Sequence, residues 1–400
     1  MKAISFLGFN PKGYNETTYL NPLDGAGVNT KFFQEALVEF YKPQQLYVLL
    51  TKTAETKIPE GASESTWESL RKKLESKVDL HPITNVPEGH QQADVWTIFN
   101  KLTGCLQDND CVLFDITHGF RSLPVLALIA VNYLRVARNV SLEGLIYGAF
   151  DARDQAKNET PVYDLKPIIE LLNWTTATDQ FLKTGNAKSL ADLLQPQARP
   201  LAENISNISQ SLHLLRPHEV MKAATDLPRE IKNVEAQVET KIPPFALLMQ
   251  RIEQSYGKFG IKKISDDRER LIRQLEIAEW YKTKGQLVHA LSIAREWLPS
   301  LLCYGFKIDS LDKNIREKME SLLSGSSSVQ ISGTRYEWGS IAHGARLRPL
   351  WNNPFKLANL RNDVLHAGFS QNPRSADEVA KQTEEVLNEV REIARLWNLL

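Results

Sequence analysis

The stretch Cys111-Val-Leu-Phe-Asp-Ile-Thr-His-Gly-Phe-Arg-Ser-Leu-Pro124, "CVLFDITHGFRSLP", runs from an apolar segment through a polar turn into "LPVLALIAVNYL" (123–134). The first five residues have the near-continuous hydrophobicity of a strand buried on both faces. Pro124 suits the first turn of a helix, where its missing N–H costs nothing. A buried strand, a short turn and a helix make the repeating unit of a parallel α/β sheet. The segments upstream and downstream repeat it. "AISFLG" (3–8), "LYVLLT" (46–51) and "LEGLIYGAF" (142–150) are short apolar runs, with helical patterns near 30–41, 64–77, 91–106 and 123–138 between them. The predicted fold class is therefore a Rossmann-like N-terminal domain with a mostly parallel sheet.

Beyond about residue 155 the strand signals fade. The stretch 156–265 reads as helices broken by Pro and Gly, and from 266 the chain is strongly helical. The expected organisation is an α/β domain over 1–155, an all-α connector over 156–265 and an all-α domain over 266–400. Ser265 is expected to cap a helix running to Trp280, and a second helix to cover 287–302. Ser375-x-x-Glu378 is a capping box for the last helix. The Gly/Ser-rich "LSGSSSVQISGT" (323–334) reads as a mobile loop.

Composition narrows the function. The chain has 48 Lys+Arg and 48 Asp+Glu, so no global basic field draws it to long nucleic acid, and any such contact is local. Cys105, Cys111 and Cys303 fit neither a disulfide framework nor a zinc site. "MKAISFLGFN" lacks the apolar core of a signal peptide, and no run is long enough to span a bilayer. A cytoplasmic protein without membrane contact is the expectation.

Ligands of parallel α/β sheets bind beyond the carboxyl ends of the strands. Two polar, glycine-bearing loops lie there: "GFNPKGYNETTY" with Gly8, Asn10, Gly13, Asn15, Thr17 and Thr18, and "THGFRS" with Thr117, His118, Gly119, Arg121 and Ser122. A helix N-terminus after Ser122 and the Arg121 guanidinium would suit a phosphate. A plain strand-to-helix turn with a surface arginine fits the second loop equally well. Neither loop is a P-loop or a dinucleotide fingerprint.

Near the other end, "RNDVLH" (361–366) sets a fixed cation near an imidazole. On a helix Asn362 and His366 share a face, while Arg361 lies about 140° from His366. Such residues can cleave RNA, which carries its own nucleophile. Histidine suits the proton transfers and arginine stabilises the phosphoryl charge. No Asp/Glu/His cluster resembles a metal-dependent nuclease site.

"RNDVLH" resembles the R-(polar)-x-x-x-H motif of HEPN ribonucleases. "DITHGFRSLP" with "FLGFN" resembles the ligand-binding signature of CARF domains, and "GQLVHALSIAREWLPSLL" (285–302) resembles the helix that precedes the HEPN motif. The order CARF then HEPN resembles the CRISPR-associated accessory ribonucleases of type III systems. That resemblance implies a CARF sensor over 1–155 and a HEPN domain over 266–400. It implies a cyclic oligoadenylate, preferably cyclic tetra-adenylate, as allosteric activator, with no cofactor and no metal. It implies a homodimer or higher even oligomer whose paired motifs cut single-stranded RNA. By position, Arg361 and His366 would be catalytic with Asn362 in support, and Gly8, Asn10, Thr117, His118, Gly119 and Arg121 would bind the activator. Glu296, in the preceding helix, is expected to pair with Arg361. The rival expectation is a ligand-responsive transcriptional regulator whose 156–265 helices bind DNA through Lys222, Arg229, Lys232 and Lys241.

Overall fold

The computed structural model describes residues 1–88, 91–118, 123–241, 245–353, 357–366, 369 and 373–400. The chain divides into two compact units, 1–172 and 173–400.

The first unit is built on eight strands: β1 (Lys2–Leu7), β2 (Thr17–Leu20), β3 (Gly27–Thr30), β4 (Gln45–Thr51), β5 (Asp79–Val86), β6 (Cys111–Asp115), β7 (Ser141–Gly148) and β8 (Glu159–Asp164). They form one sheet in the order β3-β2-β8-β7-β6-β1-β4-β5. The run β5-β4-β1-β6-β7 is parallel throughout, β8 joins β7 antiparallel, and β2 pairs parallel with β8. The helices are α1 (Phe33–Tyr41), α2 (Lys52–Thr56), α3 (Thr66–Leu74), α4 (Gln92–Gly104) and α5 (Leu123–Ala137), and α6 (Lys166–Thr184) crosses the boundary at residue 172. The mostly parallel α/β sheet expected from the sequence is present.

Four strands went unread. β5 contains Pro82, which removes a ladder donor, and it survives because it is an edge strand paired only with β4. β2, β3 and β8 are short and polar. Thr17 and Thr18, expected in a ligand loop, lie in β2 instead; the Thr17 hydroxyl is buried against that of Thr160 at 2.8 Å.

Side chains alternate across β1. Ile4 and Phe6 join Phe114, Leu102, Ala127 and Val131 in the core on the α4–α5 face. Ala3 and Leu7 join Leu46, Val48, Phe33, Leu37 and Leu70 on the α1–α3 face. Each fully buried Leu, Ile or Phe contributes about 1.5–3 kcal/mol. Period two also places Ser5 and Asp115 on the α1 face, where apolar surroundings make their pairing obligatory.

The second unit holds α7 (Lys188–Leu194), α8 (Arg199–His213), α9 (Pro217–Lys241), α10 (Phe245–Tyr256), α11 (Asp267–Thr283), α12 (Leu287–Phe306), α13 (Lys313–Ser324), α14 (Gly344–Trp351), α15 (Leu357–Leu365) and α16 (Ala376–Leu396). One continuous core runs from Trp174 to Leu399. The N-cap of α11 is Asp266 rather than Ser265, its side chain accepting from Glu269 N at 3.0 Å. The capping box at Ser375 is present.

The expectation of an all-α region is corrected at one place. The Gly/Ser-rich stretch is an antiparallel hairpin, β9 (Ser328–Ile331) and β10 (Thr334–Glu337). Ser332 and Gly333 both have positive φ, 50° and 81°, as a two-residue turn matching the strand twist requires.

Candidate functional site

In the parallel core of the sheet, the order reverses between β1 and β6. Successive crossovers run from β1 through β4 to β5 on one side, and from β6 to β7 on the other. In sheets of this kind a ligand crevice opens where the loops leave the carboxyl ends of two such strands. Gly8 opens the loop after β1, and Thr117 and His118 follow β6. A Cβ on Gly8 would stand 3.0 Å from the His118 carbonyl oxygen, so the two loops touch because residue 8 has no side chain.

A buried polar chain sets the second loop. Gln34 of α1 donates to Ser5 Oγ at 3.0 Å and to the Phe6 carbonyl at 2.9 Å. Ser5 Oγ donates to Asp115 Oδ2 at 2.5 Å, and Thr117 N–H donates to Asp115 Oδ1 at 2.8 Å. Gly148 N–H of β7 in turn donates to Thr117 Oγ1 at 2.8 Å. Burial pushes the Asp115 carboxyl up to about 6, against the pull of the Ser5 and Thr117 hydrogen bonds. Burial pushes His118 down to about 4, so its imidazole is neutral at pH 7. The His118 Nε2 is enclosed and without a hydrogen-bond partner among the described residues.

Tyr14 completes the wall. Its ring lies 4.4 Å from that of His118, centroid to centroid, and its hydroxyl donates to Gly8 O at 2.9 Å. Asn10 shapes the first loop, accepting from Lys12 N–H on its side chain (3.1 Å) and from Gly13 N–H on its carbonyl (2.9 Å). The fold thus brings Gly8, Thr117 and His118 together, with Asn10 on the adjoining turn. Gly119, Arg121 and Ser122 lie outside the described residues. Ser5, Gln34, Tyr14 and Asp115 were missed in the sequence. The available signal was a lone Ser and a lone Asp in otherwise apolar strands.

In the second unit, "RNDVLH" falls at the end of α15. Leu357 and Leu360 are buried and Val364 partly so, which turns Asn362 and His366 outward. Arg361 Nη1 donates to Asn362 Oδ1 at 3.1 Å, while Arg361 Nε is enclosed and unpartnered among the described residues. His366 N–H donates to the Asn362 carbonyl at 2.8 Å, which continues the helical ladder. Asn362 thus engages the guanidinium with its side chain and the His366 backbone with its carbonyl. Arg374 donates to Asp363 at 3.1 Å and ties this end of α15 to the start of α16.

The expected pairing of Glu296 with Arg361 is corrected. Glu296 instead bridges Arg295 and Arg316, each at 2.7 Å, and Arg295 continues to Glu320 at 2.6 Å. Burial pushes the Glu296 carboxyl up, but the two guanidinium groups outweigh it and hold it below its usual range. Arg229, counted toward a basic DNA-binding surface, is engaged by Asp226 and Glu230. No helix among the described residues is long and apolar enough to cross a membrane.

Residues 2–151 match the family model described as the CARF domain of the CRISPR system endoribonuclease Csx1. The matched segment carries β1 through β7. The switch point between β1 and β6 lies within the segment that matches this CARF model. Residues 170–266 match the second domain of the CRISPR-associated protein MJ1674. MJ1674 itself, from Methanocaldococcus jannaschii, is 25% identical over 291 residues, which cover 71% of this chain and 42% of that protein. Among solved structures, Enterococcus italicus Csm6 bound to cyclic hexa-2'-fluoro-hexa-dAMP is similar over 100% of this chain and 95% of its own chain. The identity is 10% and the TM-score 0.46.

Proposed function

We propose that this protein is an endoribonuclease of type III CRISPR antiviral defence that is switched on by a cyclic oligoadenylate and cuts single-stranded RNA without a metal ion. In this reading 1–155 senses the activator, 156–265 connects, and 266–400 is a HEPN nuclease domain. Two copies pair, and their "RNDVLH" motifs form one composite site. The observation that carries the reading is the outward end of α15, where the Arg361 guanidinium lies 3.1 Å from Asn362 and the His366 side chain is exposed to solvent. The matched CARF model, which is named for an endoribonuclease, supports it.

The chemistry is as follows. An imidazole takes the proton of the RNA 2′-hydroxyl as that oxygen bonds to the adjacent phosphorus. The P–O5′ bond breaks and the leaving oxygen takes a proton from an imidazolium, leaving a 2′,3′-cyclic phosphate. Arg361 stabilises the extra negative charge on the phosphoryl oxygens. Two histidines, one from each copy, divide the acid and base roles. In the sensor, Gly8, Asn10, Thr117, His118, Gly119 and Arg121 contact the activator, cyclic tetra-adenylate being the preferred ring.

The test is labelled single-stranded RNA incubated in EDTA with and without cyclic oligoadenylates. Cleavage is expected only with activator, and Arg361→Ala or His366→Ala is expected to lower it at least a hundredfold. Cleavage that persists in both variants removes these residues from the site. Activator binding without RNA cutting by the wild type favours the transcriptional-regulator reading.

A further inference from the structure

Beside the switch-point crevice, beyond β1 and β4, lies a second cleft of about 340 Å³. It falls in the range of about 300–1,000 Å³ usual for small-molecule sites. Its walls include Lys12, Tyr14, Lys31, Glu60, Glu64 and Thr66. Tyr14 is shared with the crevice, since the same side chain holds Gly8 O and lies against His118.

Three independent features point to an anion. The first is the N-terminus of α3, a nine-residue helix. Ser65 Oγ accepts from Glu68 N–H at 3.2 Å and Ser65 O accepts from Ser69 N–H at 3.1 Å, which leaves the amides of Thr66 and Trp67 without an intrahelical acceptor. The second is Thr66 itself. It is 4% exposed, it lines the cleft, and its Oγ1 is enclosed with no hydrogen-bond partner among the described residues. An unmet buried hydroxyl is costly and is met by whatever oxygen seats beside it. The third is charge. Lys12 and Lys31 are exposed and carry no carboxylate partner among the described residues, whereas Lys72, Lys73 and Lys77 nearby all do. Of the two acids in the walls, Glu64 is neutralised by Lys72, which leaves Glu60 against two free cations.

We propose that this cleft is an anion subsite that takes a phosphate group of a nucleotide, with Lys12 and Lys31 supplying charge, and Thr66 and the first-turn amides of α3 supplying hydrogen bonds. Two sources share that chemistry: a phosphodiester of the cyclic activator reaching past Tyr14, or a separate mononucleotide. The first source rests on the sensor function proposed above; the second does not.

Calorimetric titration of the full chain with cyclic tetra-adenylate, 5′-AMP and inorganic phosphate distinguishes them. The variants are Lys12→Ala/Lys31→Ala, the matching double Arg variant, and Thr66→Val. Both lysines are exposed, so the Ala pair keeps the fold; thermal melting checks Thr66→Val. If the activator is the source, the Ala pair weakens ring binding about tenfold or more and the Arg pair restores it. If a mononucleotide is the source, ring affinity is unchanged, and 5′-AMP or phosphate binding is lost in the Ala pair. A wild type that ignores the ring but binds 5′-AMP through the lysines keeps the subsite and defeats the sensor reading. Ring binding that is equal in wild type and Ala pair, with no lysine-dependent binding of 5′-AMP or phosphate, overturns the subsite and leaves the sensor reading standing.

Discussion

Asp115 and His118 sit three residues apart, and burial moves their protonation in opposite directions. The Asp115 carboxyl is pushed up from 3.8 to about 6, so between those values the folded state holds its proton more tightly than the unfolded state. Its contribution to stability therefore falls as pH rises through that window and is level above it. His118 is pushed down from 6.5 to about 4, so there the unfolded state binds the proton more tightly and stability is lost as pH falls. In the wild type the two slopes largely offset. Asp115→Asn removes one of them. Its stability relative to wild type is expected to rise by up to about 3 kcal/mol from pH 4 to pH 6. His118→Gln is expected to shift the difference the other way. Urea unfolding across that range checks both, and a difference that does not vary with pH would remove Asp115 from this role. Neither shift can be read from "FDITH" alone, because both come from burial, which is set by segments far away in sequence.

At the scale of elements, local chemistry was legible where it is local. The Ser375–Glu378 capping box was read directly and is formed, with Ser375 Oγ accepting from Glu378 N–H at 3.2 Å. Ser375→Ala is expected to cost about 1 kcal/mol. The Arg374–Asp363 pair anchors the end of α15 to the residue before this cap. The same variant is therefore expected to reduce RNA cleavage more than activator binding, a split that single-turnover cleavage and calorimetry resolve. Equal losses in both would show a general destabilisation. The hairpin β9–β10 was hidden by its composition, though Ser332-Gly333 between two runs of β-branched and aromatic residues is the turn such a hairpin needs. β5 was hidden by Pro82, which excludes a central strand and not an edge.

For the whole molecule, equal numbers of acidic and basic residues mean that recognition depends on local arrangement. One surface of the first unit is conspicuously apolar. On α5, Val125, Ile129, Tyr133 and Val136 are 53–82% exposed at helical spacing, and Trp96 of α4 is 68% exposed. Phe99 packs edge-on between Trp96 and Tyr133, at 5.9 and 5.5 Å. A row of this kind supports the proposed pairing of two copies. Ile129→Asp is expected to shift the protein toward monomer in sedimentation velocity and to lower RNA cleavage without unfolding the chain. A variant with the wild-type sedimentation profile would place the pairing surface elsewhere.

The sequence by itself determined the alternation of buried strands and helices, the helical second half and the capping box at Ser375. These follow from periodicity and from residues acting within a few positions of one another. Only the tertiary structure decided which strands neighbour β1, and so where the crevice opens. It also decided that Glu296 belongs to Arg295 and Arg316, and that Thr17 belongs to the sheet rather than the ligand loop. It alone showed that Ser5, Gln34 and Asp115 form one buried chain. Those outcomes depend on contacts between residues far apart in sequence, where burial makes an unpaired polar group costly and the fold decides which partner is within reach.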